Sequence, residues 1–326
     1  AQISKDDFIV ARGSQDMKCV GIQYLLAVDR LLASGWKPDR DVHVTFVPDE
    51  EIGGHDGMGE FVKSSEFKKL NVGALMDEGL PSQGSSFSLF YAERRPWWLV
   101  MRAEGLPGHG ATLPETTASQ VLLGAVNKAL EYRETQYRLV QDGKKGRGDV
   151  VGVNLVALEA GRPNGKGGYI SNVIPNVAEA YFDLRVPPSL SKTDMENIIS
   201  GWMECDGAPC TGMSHRYNQK VILAKTTSLD ASESEWAAKL KKVGRELGLE
   251  FTEEIFPAAT DARYVREVDI PAFGFSPING SADLLHKDNE RLSREVFVRG
   301  VGIYEKIIAA MGGVGNTGDD EEEAEL

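Results

Sequence analysis

The order of the apolar segments constrains the fold of this chain more than any other feature of the sequence. Apolar residues at helical spacing alternate with short β-rich runs over residues 1–91, and the same alternation resumes over residues 224–311. Such alternation predicts an α/β sheet with helices packed on it. Residues 92–223 instead show a β-α-β-β-α-β order, which is the split βαβ arrangement of a ferredoxin-like sandwich. We therefore expect a smaller α+β domain inserted into a larger α/β domain.

The individual elements follow from local patterns. In the larger domain the sequence predicts helices over 19–34, 60–69, 234–247 and 294–311, and strands over 42–47, 72–76 and 270–275. In the inserted domain it predicts strands over 97–103, 150–158, 177–186 and 214–223, and helices over 116–133 and 191–204.

The charge of the chain is acidic and unevenly distributed. The formal net charge is −13 at pH 7, and six acidic residues lie among the last eight. We predict that residues 312–326, which are glycine-rich and then acidic, form a disordered tail. An acidic body argues against a nucleic-acid partner, because phosphate backbones bind basic surfaces. No apolar stretch approaches the roughly 20 residues that span a bilayer, so no membrane partner is expected.

The three cysteines are too few to predict a disulfide framework. Cys205 and Cys210 have no second ligand pair nearby for a structural zinc site, and Cys19 lies in an apolar helical pattern typical of a buried small side chain. A sparse, odd set of cysteines favours a reducing compartment. We therefore predict a cytoplasmic protein.

Two acidic clusters come directly after predicted strands. Asp49, Glu50 and Glu51 follow one strand, and Asp77 and Glu78 follow another. In open α/β sheets, ligands bind beyond the carboxyl ends of the strands. Acids that meet there repel each other unless a cation or protons neutralise them. A solvated loop with helix-capping acids is the alternative for either cluster alone.

Other residues narrow the chemistry expected there. Asp16 precedes a predicted helix, and His286 follows a later strand. Carboxylates with few histidines and no cysteine ligand favour a catalytic zinc, cobalt or manganese over a structural zinc. The adjacent Glu50 and Glu51 can divide the work, one binding metal while the other accepts a proton from water.

Seven motifs together resemble the aminoacylase group of the dinuclear zinc exopeptidase family. They occur in that family's order between Asp7 and Met311. The segments around Trp97-Trp98 and Phe273–Pro277 favour this group over the dipeptidases and succinyl-group hydrolases of the same family. The motifs are ARGSQDMK (11–18), PDEEIGGH (48–55), DEG (77–79), GLPGH (105–109), NVIP (172–175), PAATDARY (257–264) and LLH (284–286).

The resemblance implies a metal-binding role for four residues. Asp16 would bridge two zinc ions, Glu51 and His286 would complete one site, and Glu78 would belong to the other. Glu50 would be the general base. An N-capping role for Asp16 is the alternative.

The resemblance also implies substrate and partner contacts. Arg263 would receive the substrate carboxylate, and Asn172 would bind substrate from the inserted domain. His109 would stabilise the oxyanion in a partner subunit's site, so the inserted domain would form a functional homodimer. The alternatives are a surface ion pair for Arg263 and a loop position without chemistry for His109. Asp261 is predicted to orient other groups rather than bind metal.

One departure from the family's pattern lies at the N-terminus. The family has a His-x-Asp motif upstream of the bridging aspartate, whereas the first histidine here is His43. We therefore expect the catalytic domain, residues 1–91 and 224–311, to be N-terminally incomplete, with one zinc ion held firmly through Asp16, Glu51 and His286.

The function that the resemblance implies is hydrolysis of small-molecule N-acyl-L-amino acids to a free amino acid and a carboxylate by a metal-activated water. The alternatives are a dipeptidase of the same fold and a catalytically crippled truncated form or pseudoenzyme.

Overall fold

The structure, a computed structural model, describes residues 1–313. The chain forms two compact units. The first contains Ala1–Tyr91, Thr226–Glu254 and the described residues from Thr260 onward, and the second contains Ala92–Lys225 and Ile255–Ala259. The tail predicted for residues 312–326 begins inside the last helix, which ends at Gly312. Its remainder, from residue 314, lies outside the described residues.

Eight helices and fifteen strands are found within residues 1–313. The helices are α1 (Lys18–Ala33), α2 (Met58–Phe61), α3 (Ser65–Leu70), α4 (Ala118–Gln141), α5 (Lys192–Trp202), α6 (Glu235–Leu247), α7 (Ala262–Glu267) and α8 (Arg294–Gly312). The strands are β1 (Gln2–Ile3), β2 (Phe8–Val10), β3 (Leu75–Asp77), β4 (Phe87–Glu93), β5 (Arg95–Glu104), β6 (Gly108–His109), β7 (Gly152–Ala160), β8 (Val173–Ile174), β9 (Val177–Val186), β10 (Glu204–Cys205), β11 (Ala208–Pro209), β12 (Met213–Lys220), β13 (Phe251–Phe256), β14 (Ala272–Phe275) and β15 (Arg291–Ser293). None of the helices in this part of the chain has the length and apolar character needed to cross a bilayer.

The first unit is organised around a mixed sheet in the order β13-β4-β14-β3. Strand β14 lies parallel to β3 and antiparallel to β4, and all four of its residues are buried. Phe273 and Phe275 pack in one core with Val20 of α1 and Tyr304 of α8. Full burial of such a side chain contributes about 1.5–3 kcal/mol. This core therefore fixes the start of α1 and the end of β3, which lie next to Asp16 and Glu78.

The predicted strand over 42–47 is wrong. Residues 41–47 have no regular secondary structure, and Val42 and Phe46 are 39% and 71% exposed. A strand exists only where a neighbour accepts and donates its backbone hydrogen bonds, and no described strand pairs with this segment. Instead, it lines a cavity of about 520 Å³ together with residues 69–76 of the β3 region.

The helix predicted over 60–69 is interrupted. It forms α2 and α3, which are separated at Ser64. The Ser64 hydroxyl accepts a hydrogen bond from the Phe67 amide at 3.1 Å. Serine favours this capping position, so the local sequence begins a new helix here.

The second unit is an antiparallel sheet with helices on one face. The strand order is β12-β5-β9-β7, and α4 and α5 pack on the sheet through one core that contains Trp97 and Phe182. Alternate residues of β9 are buried over Val177–Val186, as expected for a strand that covers a core on one side. The element order β5-α4-β7-β9-α5-β12 is the predicted β-α-β-β-α-β pattern. The predicted fold class, an α/β domain with an inserted α+β domain, is confirmed.

The bond between Cys205 and Cys210 was not predicted, whereas the predicted burial of Cys19 is confirmed. Cys205 and Cys210 form a disulfide with a Cα–Cα distance of 4.9 Å, while Cys19 is free and buried. The two-stranded sheet β10-β11 explains the pairing, because an antiparallel turn returns the chain to within bonding distance of Cys205. The cysteine argument for a reducing compartment therefore fails, and a cytoplasmic location stays a prediction.

Candidate active site

Three of the predicted metal ligands lie together in the first unit. The Nε2 atom of His286 lies 2.9 Å from Oδ2 of Asp16 and 3.1 Å from Oε2 of Glu51. One ligand atom from each of the three residues lies within 4.8 Å of the other two. Metal–ligand bonds of 2.0–2.2 Å place the ligand atoms of a tetrahedral zinc site roughly 3.3 Å apart. The spacing and the donor types therefore fit a divalent cation.

Each of these ligands is presented by a backbone turn rather than by a regular element. Asp16 lies in the loop before α1, and Glu51 lies in a 3-10 turn whose flanking residue Asp49 has φ of 79°. His286 itself has φ of 60°. A non-glycine residue in this left-handed region costs about 1–3 kcal/mol and persists only where its surroundings hold it. Such positions cluster at ligand-binding sites.

Glu78 is buried next to Asp16. Burial raises the pKa of this carboxyl to about 11, with further contributions from Asp77, Asp16 and Glu50, and it hydrogen-bonds to Asp16. Without a cation, burial and the neighbouring carboxylates therefore favour the protonated form of Glu78. A cation would favour the ionised form instead, because it supplies the opposite charge that the cluster lacks. Asp16 and Glu78 can thus form the start of a second cation site.

Glu50, the predicted base, shares this electrostatic environment. Burial raises its pKa to about 8, and the carboxylates of Asp261, Asp77 and Glu51 add to the effect. A general base works best when its pKa lies near the operating pH. The position next to Glu51 allows one residue to bind a cation while its neighbour remains available for proton transfer.

Asp77 has a role that its position in the DEG motif did not reveal. Its Oδ2 atom accepts the Ala262 amide at the start of α7 at 2.7 Å, and its Oδ1 atom accepts the Glu78 amide at 2.8 Å. Burial raises the pKa of Asp77. The sequence signal for such a role was an acidic residue directly after a predicted strand. It could not identify the partner, because Ala262 lies 185 residues away. Asp77 thus joins the end of β3 to α7, which carries Arg263.

Arg263 lies against the turn that carries the acids. Its Nη2 atom donates to the Gly53 carbonyl and lies 3.1 Å from the Tyr264 hydroxyl. Tyr264 donates to the same carbonyl at 2.6 Å, and its oxygen lies 3.1 Å from Nδ1 of His55. These contacts are with uncharged groups, and within residues 1–313 Arg263 forms no ion pair. Sequence reasoning gave Tyr264 and His55 no role, and their contacts here are structural.

His109 and Asn172 lie on one ribbon of the second unit. Strand β6 pairs with β8 so that His109 faces Val173, and the Gly110 amide donates to the Asn172 carbonyl at 2.8 Å. Both side chains are exposed. Nδ1 of His109 accepts the Ala111 amide at 3.1 Å, which leaves the proton on Nε2 as a donor. The ribbon can therefore offer two polar side chains to one ligand.

Comparison with known proteins reveals extensive similarity. Residues 1–310 match the family described as peptidase family M20/M25/M40. Aminoacylase-1 of Sus scrofa is 43% identical over 309 residues, covering 95% of this chain and 73% of that protein. Aminoacylase-1 of Dictyostelium discoideum is 41% identical over 306 residues, covering 92% of this chain and 74% of that protein.

Solved structures with low sequence identity share the fold. A tripeptidase from Staphylococcus aureus has a TM-score of 0.69 at 14% identity and covers 95% of this chain and 76% of its own. Human carnosine dipeptidase 1 has a TM-score of 0.61 at 13% identity, with 95% and 75% covered.

Proposed function

This chain belongs to peptidase family M20/M25/M40, and from that premise we propose that it hydrolyses N-acyl-L-amino acids to a free amino acid and a carboxylate. The predicted family and the predicted hydrolase class are confirmed by this membership. The observation that carries the proposal is the cluster of Asp16, Glu51 and His286, with Glu50 adjacent in the same turn. The relatives at 41–43% identity are aminoacylases, which favours an N-acyl amino acid over a dipeptide as substrate.

Zinc is the cation that we propose for this cluster. One imidazole and two carboxylates are a donor set that zinc accepts in catalytic sites. A bound ion would supply Lewis-acid polarisation of the amide carbonyl. Asp16 and Glu78 provide fewer ligands for a second ion, so we expect that ion to bind less tightly.

Glu50 is the residue that we propose for proton transfer. Its carboxylate accepts a proton from the attacking water as the water oxygen bonds to the amide carbon. The same carboxyl then gives that proton to the leaving amine nitrogen as the carbon–nitrogen bond breaks. A pKa raised towards neutrality, by burial and neighbouring carboxylates, suits a group that must both accept and release a proton.

Arg263 accounts for the substrate class in this proposal. A guanidinium binds a carboxylate through two parallel hydrogen bonds, and every N-acyl amino acid carries a free α-carboxylate. The contacts of Arg263 with Gly53 and Tyr264 hold it beside the turn that bears Glu50. A substrate bound in this way would present its amide at a fixed distance from the base.

The second unit contributes the remaining groups in the proposal. His109 would donate a hydrogen bond from Nε2 to the developing oxyanion, and Asn172 would bind the substrate. We retain the proposal that the second unit pairs two chains and that His109 acts in the partner's site. Its support is the exposed His109 on the ribbon of β6 and β8, together with the position of β7 and β12 at the two edges of the sheet within the described residues.

Turnover of two substrates tests the function. Purified protein with added zinc should hydrolyse N-acetyl-L-methionine with a kcat/KM well above that for an unblocked dipeptide such as Ala-Met. The Glu50→Gln variant should lose this activity, while Glu66→Gln, on the exposed surface of α3, should keep it. A preference for the dipeptide would indicate the dipeptidase alternative. Bound zinc without hydrolysis of either substrate would indicate a crippled enzyme.

A further inference from the structure

The loop that carries Asp16 and the loop that carries His286 are joined by two buried side chains. Glu290 belongs to the His286 loop and is 3% exposed, and Gln15 belongs to the Asp16 loop and is 2% exposed. Apart from an ion pair between Glu290 and Arg12, each side chain forms its hydrogen bonds with the backbone of the opposite loop. Each loop therefore supplies one side chain that binds the backbone of the other loop, although the two loops are about 270 residues apart in the sequence.

Glu290 organises the backbone of the Asp16 loop. Its Oε1 atom accepts the amides of Gly13 at 3.0 Å, Gln15 at 2.7 Å and Asp16 at 3.2 Å. Its Oε2 atom accepts the Gly13 amide at 3.1 Å and pairs with Arg12 at 2.9 Å. Burial acts to raise the pKa of Glu290, but the backbone hydrogen bonds and Arg12 outweigh it and hold the pKa low. The carboxylate is therefore a charged acceptor for converging amides, one of which belongs to a predicted metal ligand.

Gln15 organises the backbone of the His286 loop in the same manner. Its Nε2 group donates to the carbonyls of Ala282 at 3.0 Å and Arg291 at 2.9 Å. Its Oε1 atom accepts the amide of Leu284 at 2.9 Å. The three hydrogen bonds of the Gln15 side chain thus reach residues on both sides of His286 in the sequence.

The position of His286 shows why such support is needed. Its side chain is 69% exposed, its backbone has φ of 60°, and it lies in an irregular loop between β14 and β15. Neither apolar packing nor a regular element holds the ring. The ring nevertheless lies 2.9 Å from Asp16. The side chains of Glu290 and Gln15 bond the two loops close to Asp16 and His286, and the pairing of β2 with β15 and the contact of Arg12 with the Lys287 carbonyl join the same segments farther out.

We propose that Glu290 and Gln15 are positioning residues that preorganise Asp16 and His286 for a divalent cation. This inference rests on the proposed metal site and adds to it two residues that touch neither substrate nor cation. Residues that orient metal ligands typically change metal affinity about 10–100-fold when they are replaced. The mechanism here is backbone placement, since neither side chain contacts the ligand side chains.

Metal affinity tests the proposal without relying on activity. Zinc dissociation constants are measured by competition with a chromophoric chelator, for the wild type, Glu290→Gln and Gln15→Met. Glu290→Gln places an amide NH2 group against N–H donors, and Gln15→Met removes all three side-chain hydrogen bonds at nearly constant size. Each variant should bind zinc about 10–100-fold more weakly. Glu290→Asp, which keeps the charge, should lie between Glu290→Gln and the wild type.

Glu179→Gln is the matched control. Glu179 is a well-shielded carboxylate of the second unit that binds Arg102, Arg216 and Tyr181, so its loss removes a comparable set of hydrogen bonds. It should lower the unfolding midpoint of the chelator-treated protein without changing zinc affinity. If Glu290 and Gln15 contribute to stability alone, their variants should also have a lower unfolding midpoint and an unchanged zinc affinity, and this result would contradict the proposal.

The cobalt spectrum supplies a second readout. Co²⁺ in the wild type should show the d–d absorption of its coordination geometry, and the two positioning variants should alter its intensity. Zinc affinity within twofold of the wild type and an unchanged cobalt spectrum, in folded Gln15→Met or Glu290→Gln, would overturn the proposal. Failure of the wild type to bind zinc, or binding that His286→Ala leaves intact, would instead refute the underlying metal site.

Discussion

Replacing Glu50 with glutamine should separate stability from activity. In the metal-free protein, burial and neighbouring carboxylates raise the pKa of Glu50 from 4.5 to about 8. The folded state therefore binds the proton of the Glu50 carboxyl more tightly than the unfolded state does. The resulting stability is fully present below the unfolded pKa and is lost as the pH rises through the folded pKa. Glutamine stays neutral at every pH, so Glu50→Gln should escape that loss.

The size of the effect follows from the pKa shift. Each pKa unit corresponds to about 1.4 kcal/mol, so a shift from 4.5 to about 8 sets a ceiling of roughly 5 kcal/mol. Glu50 is only partly buried, and solvent screening reduces this ceiling, so we expect about 2 kcal/mol. In a protein of this size, 2 kcal/mol raises the unfolding midpoint by several degrees.

Thermal unfolding in chelator at pH 5 and pH 8 measures the effect, with circular dichroism as the probe. Glu50→Gln should unfold at a higher temperature than the wild type at pH 8 and at a similar temperature at pH 5. The exposed control Glu66→Gln should follow the wild type at both. With zinc restored, Glu50→Gln should keep its metal and lose about 10²–10⁴-fold in turnover. A lower midpoint than the wild type at pH 8 would refute the idea that Glu50 is a repelled, partly buried charge.

Three further predictions concern the metal, the substrate and the partner. Exhaustively dialysed protein should retain near one divalent ion per chain by elemental analysis, and two tightly held ions would contradict the weaker second site. Arg263→Lys should raise KM for N-acetyl-L-methionine about 10-fold or more, because lysine cannot form two parallel hydrogen bonds with the substrate carboxylate. An unchanged KM would exclude contact between Arg263 and that carboxylate. Mixing His109→Ala with Glu50→Gln chains should recover activity, because one of two composite sites is intact. Mixed dimers as inactive as either parent would show that His109 does not act in the partner.

The larger features of the fold could be predicted because they depend on local periodicity. Strand β14 has four buried residues and lies within the apolar run predicted over 270–275. The segment 42–47 has a similar pattern but forms no strand, because pairing depends on a neighbour that the local sequence does not specify. The bond between Cys205 and Cys210 likewise depends on how closely one turn brings the chain back.

The candidate site was predictable by resemblance and not by spacing. Motif order named Asp16, Glu51 and His286, which the structure brings together, but no periodicity links an aspartate to a histidine 270 residues later. Gln15 lies within the motif of residues 11–18 and Glu290 lies in no motif, but the role of neither could be predicted, since a buried side chain bonded to a distant backbone leaves no pattern in the sequence. Contacts of this kind have to be read from the fold.

The way the site is assembled implies that metal binding and folding are coupled in the first unit. The backbone strain at Asp49 and His286 opposes the folded arrangement, and carboxylates gathered around Glu50 and Glu78 oppose it further when they ionise. A cation would reverse the second effect and would bond the same segments that Glu290 and Gln15 already join. Because ligands must shed protons to bind it, the cation should stabilise the protein more at pH 8 than at pH 5. Zinc should therefore raise the stability of the folded protein, whereas alkaline pH should lower it by ionising the same carboxylates. The stabilisation by zinc should be largest at the pH where these carboxylates repel each other most.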